Sequence, residues 1–298
     1  MIQLDLREID HRIQVFVDYF IANVSPDPDR NLAALQAKYQ TLTAPEERLF
    51  FILLTTHFDS LYLADEFHQR LSWNKIQQVN EIDIWQVCKE YIYEKQFTGK
   101  YLIGDHRRYF RCLPKDGKVD YSSKILTSYK QTIGRYSSQA AFFEIDNEKA
   151  KFDVLYQKMK KIACFHPRLP RFDHLERVSR LHNFYVVPDR FYAEDATGPL
   201  YGLTCLLFGK RLGKDSGITK QYLVKSFPQI WNEQIGGAYV IPDGADFKQI
   251  IACLEQWVVK RVRNWETLPS VRQHDKAFVF DIESCLCNWQ KGKCLDDS

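Results

Sequence analysis

HPRLPRFDHLERVSRL (166–181) and DATGPLYGLTCLLFG (195–209) decide how this chain folds. In the first, Phe172, Leu175, Val178 and Leu181 recur every third residue. That sets one helix face against a core and turns Arg177 and Arg180 outward. Asp173 reads as the N-cap of that helix, with Glu176 completing a capping box. Pro167-Arg168-Leu169-Pro170-Arg171 is then a basic turn leading into it. In the second stretch Thr197 or Gly198 caps a helix, and Pro199 suits its first turn, where an N–H has no intrahelical partner anyway. From Leu200 to Phe208 the helix is apolar almost all round, so it is expected to be buried. Gly209 ends it and delivers the chain into the cationic loop Lys210-Arg211-Leu212-Gly213-Lys214.

Charge gathers around these two stretches. From Lys158 to Arg190 eight Lys/Arg stand against three Asp/Glu, a local net of +5 in a chain whose total is only +3. Such a cluster either faces phosphate or is a solvated surface. Arg168, Arg171, Lys210, Arg211 and Lys214 form the first candidate phosphate-binding set, and Arg107, Arg108 and Arg111 a second patch.

Outward from the centre, helical periodicity dominates. Ile9, Ile13, Phe16, Val17, Phe20 and Ile21 mark an amphipathic helix over 5–24. Helices follow over 29–39, from Thr43-Ala44-Pro45-Glu46-Glu47 through Phe58 towards Phe67, and near 73–79 and 83–97. Together they make an N-terminal bundle over about 1–99. Residues 100–121 break the pattern, and Pro114-Lys115-Asp116-Gly117 between short aromatic runs reads as a loop or small hairpin. Helices resume over 122–133, 148–163 and 218–227. A long one starts at Asp246, with Phe247, Ile250, Ile251, Leu254, Trp257, Val258 and Val262 on one stripe. The tail 277–287 is compatible with an extended segment that then turns. The economical fold is therefore mainly α, one helical domain over 1–298 with its core over about 122–287 and an irregular or hairpin insertion near 100–121.

Composition excludes several classes. At 298 residues, 45% hydrophobic and 14% aromatic, the chain has ample core and is not disordered. No run approaches the length of a membrane span. Eight cysteines without a signal peptide point to free thiols in a reducing cytoplasm. Cys285-Leu286-Cys287 lacks a zinc-type gap, and no cofactor motif is present. Gly209-Lys210-Arg211-Leu212-Gly213-Lys214-Asp215 is not a P-loop, because it lacks the four-residue gap and the Ser/Thr after lysine.

The run LPRF-DHLERVSRL…VVPDRFYAEDATGPLYGLTCLLFGK resembles the core of the phage DNA thymine-hypermodification proteins. These comprise the alpha-glutamyl/putrescinyl thymine pyrophosphorylases, the amino acid:DNA transferases and the helical domain of 5-hydroxymethyluracil DNA kinases. Asp281-Ile282-Glu283-Ser284-Cys285-Leu286-Cys287 resembles their closing acidic segment. The resemblance implies a fold like helix-hairpin-helix DNA glycosylases, although Leu169-Pro170-Arg171-Phe172-Asp173 lacks both glycines of that hairpin. It also implies a transferase that replaces the phosphate or pyrophosphate of an activated 5-hydroxymethyluracil in double-stranded DNA with an amine. The amine would come from an amino acid or polyamine, in the host cytoplasm if the protein is phage-encoded. A carboxylate must then hold the ammonium and take its proton, and Asp195, Asp281 and Glu283 are the candidates. On a strand the last two would share a face. Cations would stabilise the leaving group, and Tyr201 and Phe208 would line a pocket for an everted base. A base-excising glycosylase and a non-catalytic DNA-binding subunit are the alternatives.

Overall fold

A computed structural model describes residues 4–23, 30–95, 112–144, 151–181, 186–188, 190–210, 217–235, 239–264 and 278–292. Among them every regular element is helical, and no strand occurs. The chain is therefore mainly α. It divides into two compact units. One combines Met1–Pro26 with Val187–Ser298, and the other is the continuous stretch Asp27–Val186.

The continuous unit holds α2 (Arg30–Thr41), α3 (Pro45–Phe58), α4 (Leu61–Arg70), α5 (Trp73–Gln78) and α6 (Glu81–Glu94). It continues with α7 (Lys115–Ile133), α8 (Gln139–Phe143), α9 (Lys151–Lys158) and α10 (Arg168–Leu181). Its axis is α3, where every residue from Leu49 to Phe58 is buried. Helices α4, α5, α8 and α10 all pack on it. Pro45 sits in its first turn, and Ala44 caps it without a side-chain bond. The helix expected to run on to Phe67 breaks at Asp59, whose φ of 49° is left-handed, and Ser60 then caps α4 through Leu63 N–H.

Three other expectations change. Pro114 caps α7, so 115–121 is helical and the second half of the expected hairpin does not exist; residues 100–111 lie outside those described. Helix α10 begins at Arg168, five residues before Asp173. Asp173 is therefore inside the helix, no capping box forms there, and Glu176 pairs with Arg180 at 3.1 Å. Proline is tolerated in a first turn, which lets Pro170 sit inside the helix start. Finally, the tail is no extended segment: Phe278–Gly292 is a helix.

The discontinuous unit holds α1 (Leu6–Asn23), α11 (Gly198–Phe208), α12 (Gly217–Lys225), α13 (Phe227–Gln234), α14 (Phe247–Arg263) and α15 (Phe278–Gly292). Ile9, Ile13, Phe16, Val17 and Phe20 on α1 are buried in its core, with Phe16 edge-on to Trp289 at 5.5 Å and Phe20 to Phe278 at 5.6 Å. Helix α11 is buried from Leu200 to Leu207 except at Tyr201. It meets α15 so closely that a Cβ on Gly202 would stand 2.7 Å from the Leu286 carbonyl. At its C-terminus Gly209 takes φ 66°, and Arg12 donates to Leu206 O (2.8 Å) and Leu207 O (2.9 Å). Those carbonyls would otherwise end the helix without partners. Cys88, Cys112, Cys164, Cys253, Cys285 and Cys287 are free, but Cys205 is disulfide-bonded, so the all-thiol expectation fails there.

Candidate functional site

The turn that feeds α11 is built on buried charge. Tyr192 adopts a left-handed conformation (φ 54°), which is strained for a bulky side chain. The amides on either side of it point to one carboxylate: Phe191 N–H donates to Glu255 Oε2 (3.0 Å) and Ala193 N–H to Glu255 Oε1 (2.6 Å). Glu255 comes from α14 and is fully buried. It thus fixes the backbone of a short 3-10 turn, Ala193–Asp195, that leads into α11. Arg190 lies against the Tyr192 ring and donates to Glu194 Oε1 at 2.7 Å. Burial works against its charge, but Glu194 and, more weakly, Glu255 hold its guanidinium more basic than usual. Glu194 itself is buried, and its Oε2 has no hydrogen-bond partner.

Asp195 follows this network and is exposed. Lys210 is exposed as well, just past the other end of α11. Eleven helical residues separate the two, roughly 16 Å at 1.5 Å per residue, so one small reacting centre does not span both. Tyr201 and Phe208, seven residues apart on α11, share a face, and both are half-buried. Phe208 is edge-on to Tyr222 at 5.8 Å. Asp281 and Glu283 sit two apart on a helix, so they do not share the face that a strand would have given them. Glu283 accepts from Cys287 Sγ at 3.6 Å. Arg211, Lys214, Arg107 and Arg108 lie outside the described residues.

Arg168 and Arg171 belong to the continuous unit and are buried. The Arg168 guanidinium stacks on Phe172, 4.0 Å from the ring centroid. Arg171 lies over Tyr156 (3.7 Å) and donates to Tyr156 O (3.0 Å) and Pro167 O (3.2 Å). Arg171 thus ties α10 to α9, while Arg168 packs along its own helix. In the same unit, adjacent acids serve different helices: Glu46 accepts from Gln139 N–H (2.9 Å), and Glu47 from Trp73 N–H (2.8 Å), Asn74 N–H (3.0 Å) and His68 Nε2 (2.8 Å). A shallow cleft of about 400 Å³ lies beside them, lined by Glu46, Trp73, Gln77, Lys130 and Tyr136 among others.

Residues 56–239, well over half of the chain, match the profile of the alpha-glutamyl/putrescinyl thymine pyrophosphorylases, clade 3. The chain belongs to that family. No curated protein and no solved structure matches it. Membership places the chain among enzymes of thymine modification in DNA hypermodification.

The family match takes in Arg190, Glu194, Asp195 and all of α11, but not Glu255 or α15. Arg190 and Glu194 went unremarked in the sequence because nothing marks their pairing four apart in an irregular turn. Glu255 did carry a signal. It lies four residues after Ile251 and three before Val258, on the apolar stripe of α14, where a carboxylate needs a buried reason.

Proposed function

We propose that this family member is a DNA-modifying transferase that acts on phosphorylated or pyrophosphorylated 5-hydroxymethyluracil in double-stranded DNA. The family match over 56–239 is the observation that carries the reading. In the reaction an amine nitrogen attacks the 5-methylene carbon of the base. The carbon–oxygen bond to phosphate or diphosphate breaks, and its electron pair leaves with that group. The ammonium proton must be removed beforehand, and Asp195 is the carboxylate we assign to this step. It is exposed, sits at the entrance of α11, and is held in place by the Glu255 clamp.

The geometry narrows the cationic roles. Arg171 is occupied with backbone carbonyls and Arg168 with Phe172, so neither is assigned to the leaving group. Arg190 is, because it shares the turn with Asp195 and is one-fifth exposed. Lys210, with Arg211 and Lys214 beyond it, is assigned to the phosphate backbone of the DNA, a role that tolerates the distance from Asp195. Tyr201 and Phe208 are assigned to the wall of the base site. Asp281 and Glu283 are kept as acids of the neighbouring helix rather than as a pair acting together.

The test is direct. DNA carrying pyrophosphorylated hydroxymethyluracil is incubated with the protein and either an amino acid or a polyamine, then digested to nucleosides for mass spectrometry. A nucleoside carrying the amine is the expected product, and Asp195→Asn should reduce its rate by about 100-fold, the scale of a lost general base. An abasic site would make the protein a glycosylase, and unchanged but retained DNA a binding subunit. Either result overturns the transferase reading.

A further inference from the structure

A groove in the continuous unit is edged by lysines that no described acid neutralises. It has a volume of about 630 Å³ and is lined by α6, α7 and the turn at Ala163. From α6 come Ile82 and Trp85, one turn apart; Ile82 is 76% exposed and Trp85 half-buried. From α7 come Ser123, Thr127 and Gln131 at four-residue spacing, two hydroxyls and an amide. Trp85 Nε1–H donates to Asp120 Oδ1 (3.0 Å), which sets the plane of the ring. Lys89 lies over the ring at 5.0 Å but does not line the groove. Ser128 ties in the third side, its Oγ accepting from Ala163 N–H (2.8 Å) and donating to Lys161 O (3.3 Å). That brings the backbone of Lys160 and Lys161 to the rim, where both side chains are exposed. Lys124 lines the groove, is exposed, and lies close enough to Cys164 for its charge to counter the burial that pushes that thiol up. None of these three lysines is ion-paired among the described residues. Glu81, the acid lining the groove, accepts from Gln131 Nε2 (2.6 Å), roughly 10 Å along α7 from Lys124. The sequence carries the same bias. From Ser122 to Phe143 it has Lys124, Lys130 and Arg135, from Val154 to Phe172 it has Lys158, Lys160, Lys161, Arg168 and Arg171, and neither stretch holds an acid.

We propose that this groove binds an unpaired nucleotide of DNA, its base stacked on Trp85 beside Ile82 and its phosphates on Lys124, Lys160 and Lys161. Single strands are held in this way, by an aromatic platform for the bases and a cationic edge for the backbone. The Ser123 and Thr127 hydroxyls donate or accept, so they can meet the polar edge of any base. An apolar helix of a partner protein is the less suitable occupant, because it would leave three ammonium groups beside it without counter-charge. The proposal rests on the DNA substrate of the transferase reading but not on Asp195 or the transfer step. It adds a strand-binding site in the continuous unit to the backbone contacts assigned to Lys210. An enzyme that works on a base outside the stack gains from holding unpaired DNA. No bond forms or breaks in the groove.

Two measurements on the full chain test this. In the first, fluorescein-labelled oligothymidylate of about 12 nucleotides, within the usual site size, is titrated with protein at graded salt and followed by anisotropy. Trp85→Ala should weaken binding about 5- to 100-fold, the loss of one stacked base, and Trp85→Phe should keep most of the affinity. Lys124→Ala, at an exposed position, should lower the slope of log affinity against log salt by about 0.7, one phosphate contact on a single strand. Binding of a duplex of the same length should not respond to Trp85→Ala, and Gln86→Ala, on α6 but not lining the groove, should bind like wild type. In the second, an oligonucleotide carrying 5-bromodeoxyuridine is photocrosslinked to the wild-type protein, which needs no variant to fold. The adduct should map by mass spectrometry to the tryptic peptide 76–89, on Trp85. Adducts that fall only elsewhere overturn the groove. So does a Trp85→Ala variant with a wild-type melting temperature and unchanged oligothymidylate affinity. A wild-type dimer in sedimentation that Trp85→Ala turns into monomer, again with unchanged affinity, overturns it in favour of a second copy as the occupant. Because unmodified DNA is the probe, these outcomes are separate from the nucleoside assay: a bound and crosslinked strand without transfer keeps the groove and removes the reaction.

Discussion

At the scale of single residues, the acids of this protein are mostly brackets. Glu47 shows how that works. Its partial burial would raise its pKa, but the Asn74 and Trp73 amides and His68 outweigh this and leave its carboxyl below the usual 4.5. A group with a depressed folded-state pKa adds stability above its unfolded pKa and gives it up as pH falls through the folded one. The protein should therefore lose stability below about pH 4.5, and Glu47→Gln should flatten that part of the profile. Near neutral pH the variant should cost about 2 kcal/mol, the value of charge-assisted bonds to backbone amides, measured by urea denaturation. A wild-type acid limb surviving in the variant would show that other carboxylates set it. None of this was visible in the sequence, where Glu47 reads as an acid placed to favour the start of its own helix. The same limit explains Arg168 and Arg171. With a helix start at Asp173 they look like an exposed basic turn. With the start at Arg168 each falls four residues before a core-facing side chain, Arg168 before Phe172 and Arg171 before Leu175, and their charge is buried along with that stripe.

At the scale of elements, existence was far more legible than boundaries. Apolar spacing located α1 and α14 to within a residue or two, and the Thr-Gly-Pro start and glycine end framed α11. The tail failed because an isolated apolar run does not distinguish strand from helix, and its length is the better guide. What the periodicity of α11 could not show is why Gly202 interrupts so apolar a helix. The reason is its close contact with α15. Gly202→Ala would gain helix propensity worth about 1 kcal/mol in isolation. Here the new Cβ would have to push back the Leu286 backbone, and overpacking of this kind typically costs 1–3 kcal/mol. Thermal unfolding should therefore show a fall in melting temperature. A rise would mean that α11 and α15 part easily.

At the scale of the whole molecule, the sequence suggested an N-terminal bundle over 1–99 followed by a core, and the contacts divide the chain differently. The stripe on α1 says that the helix is buried, but a stripe carries no address. Nothing local reveals that Phe16 and Phe20 pack with residues near 280 rather than with the helices that follow them. The consequence can be measured. Ile9, Ile13, Phe16, Val17 and Phe20 are all buried in the discontinuous unit. At 1.5–3 kcal/mol for each large apolar side chain, removing α1 deletes on the order of 10 kcal/mol of burial. That is comparable with the entire stability of an ordinary domain. Deleting residues 1–26 should therefore unfold the unit that carries Asp195 and α11, with lost protection of α11 amides in hydrogen exchange. The stretch Asp27–Val186 has its own core around α3 and should keep a cooperative melt in the truncated protein. If α11 stayed protected without α1, the division at residues 26 and 187 would not describe how this enzyme folds.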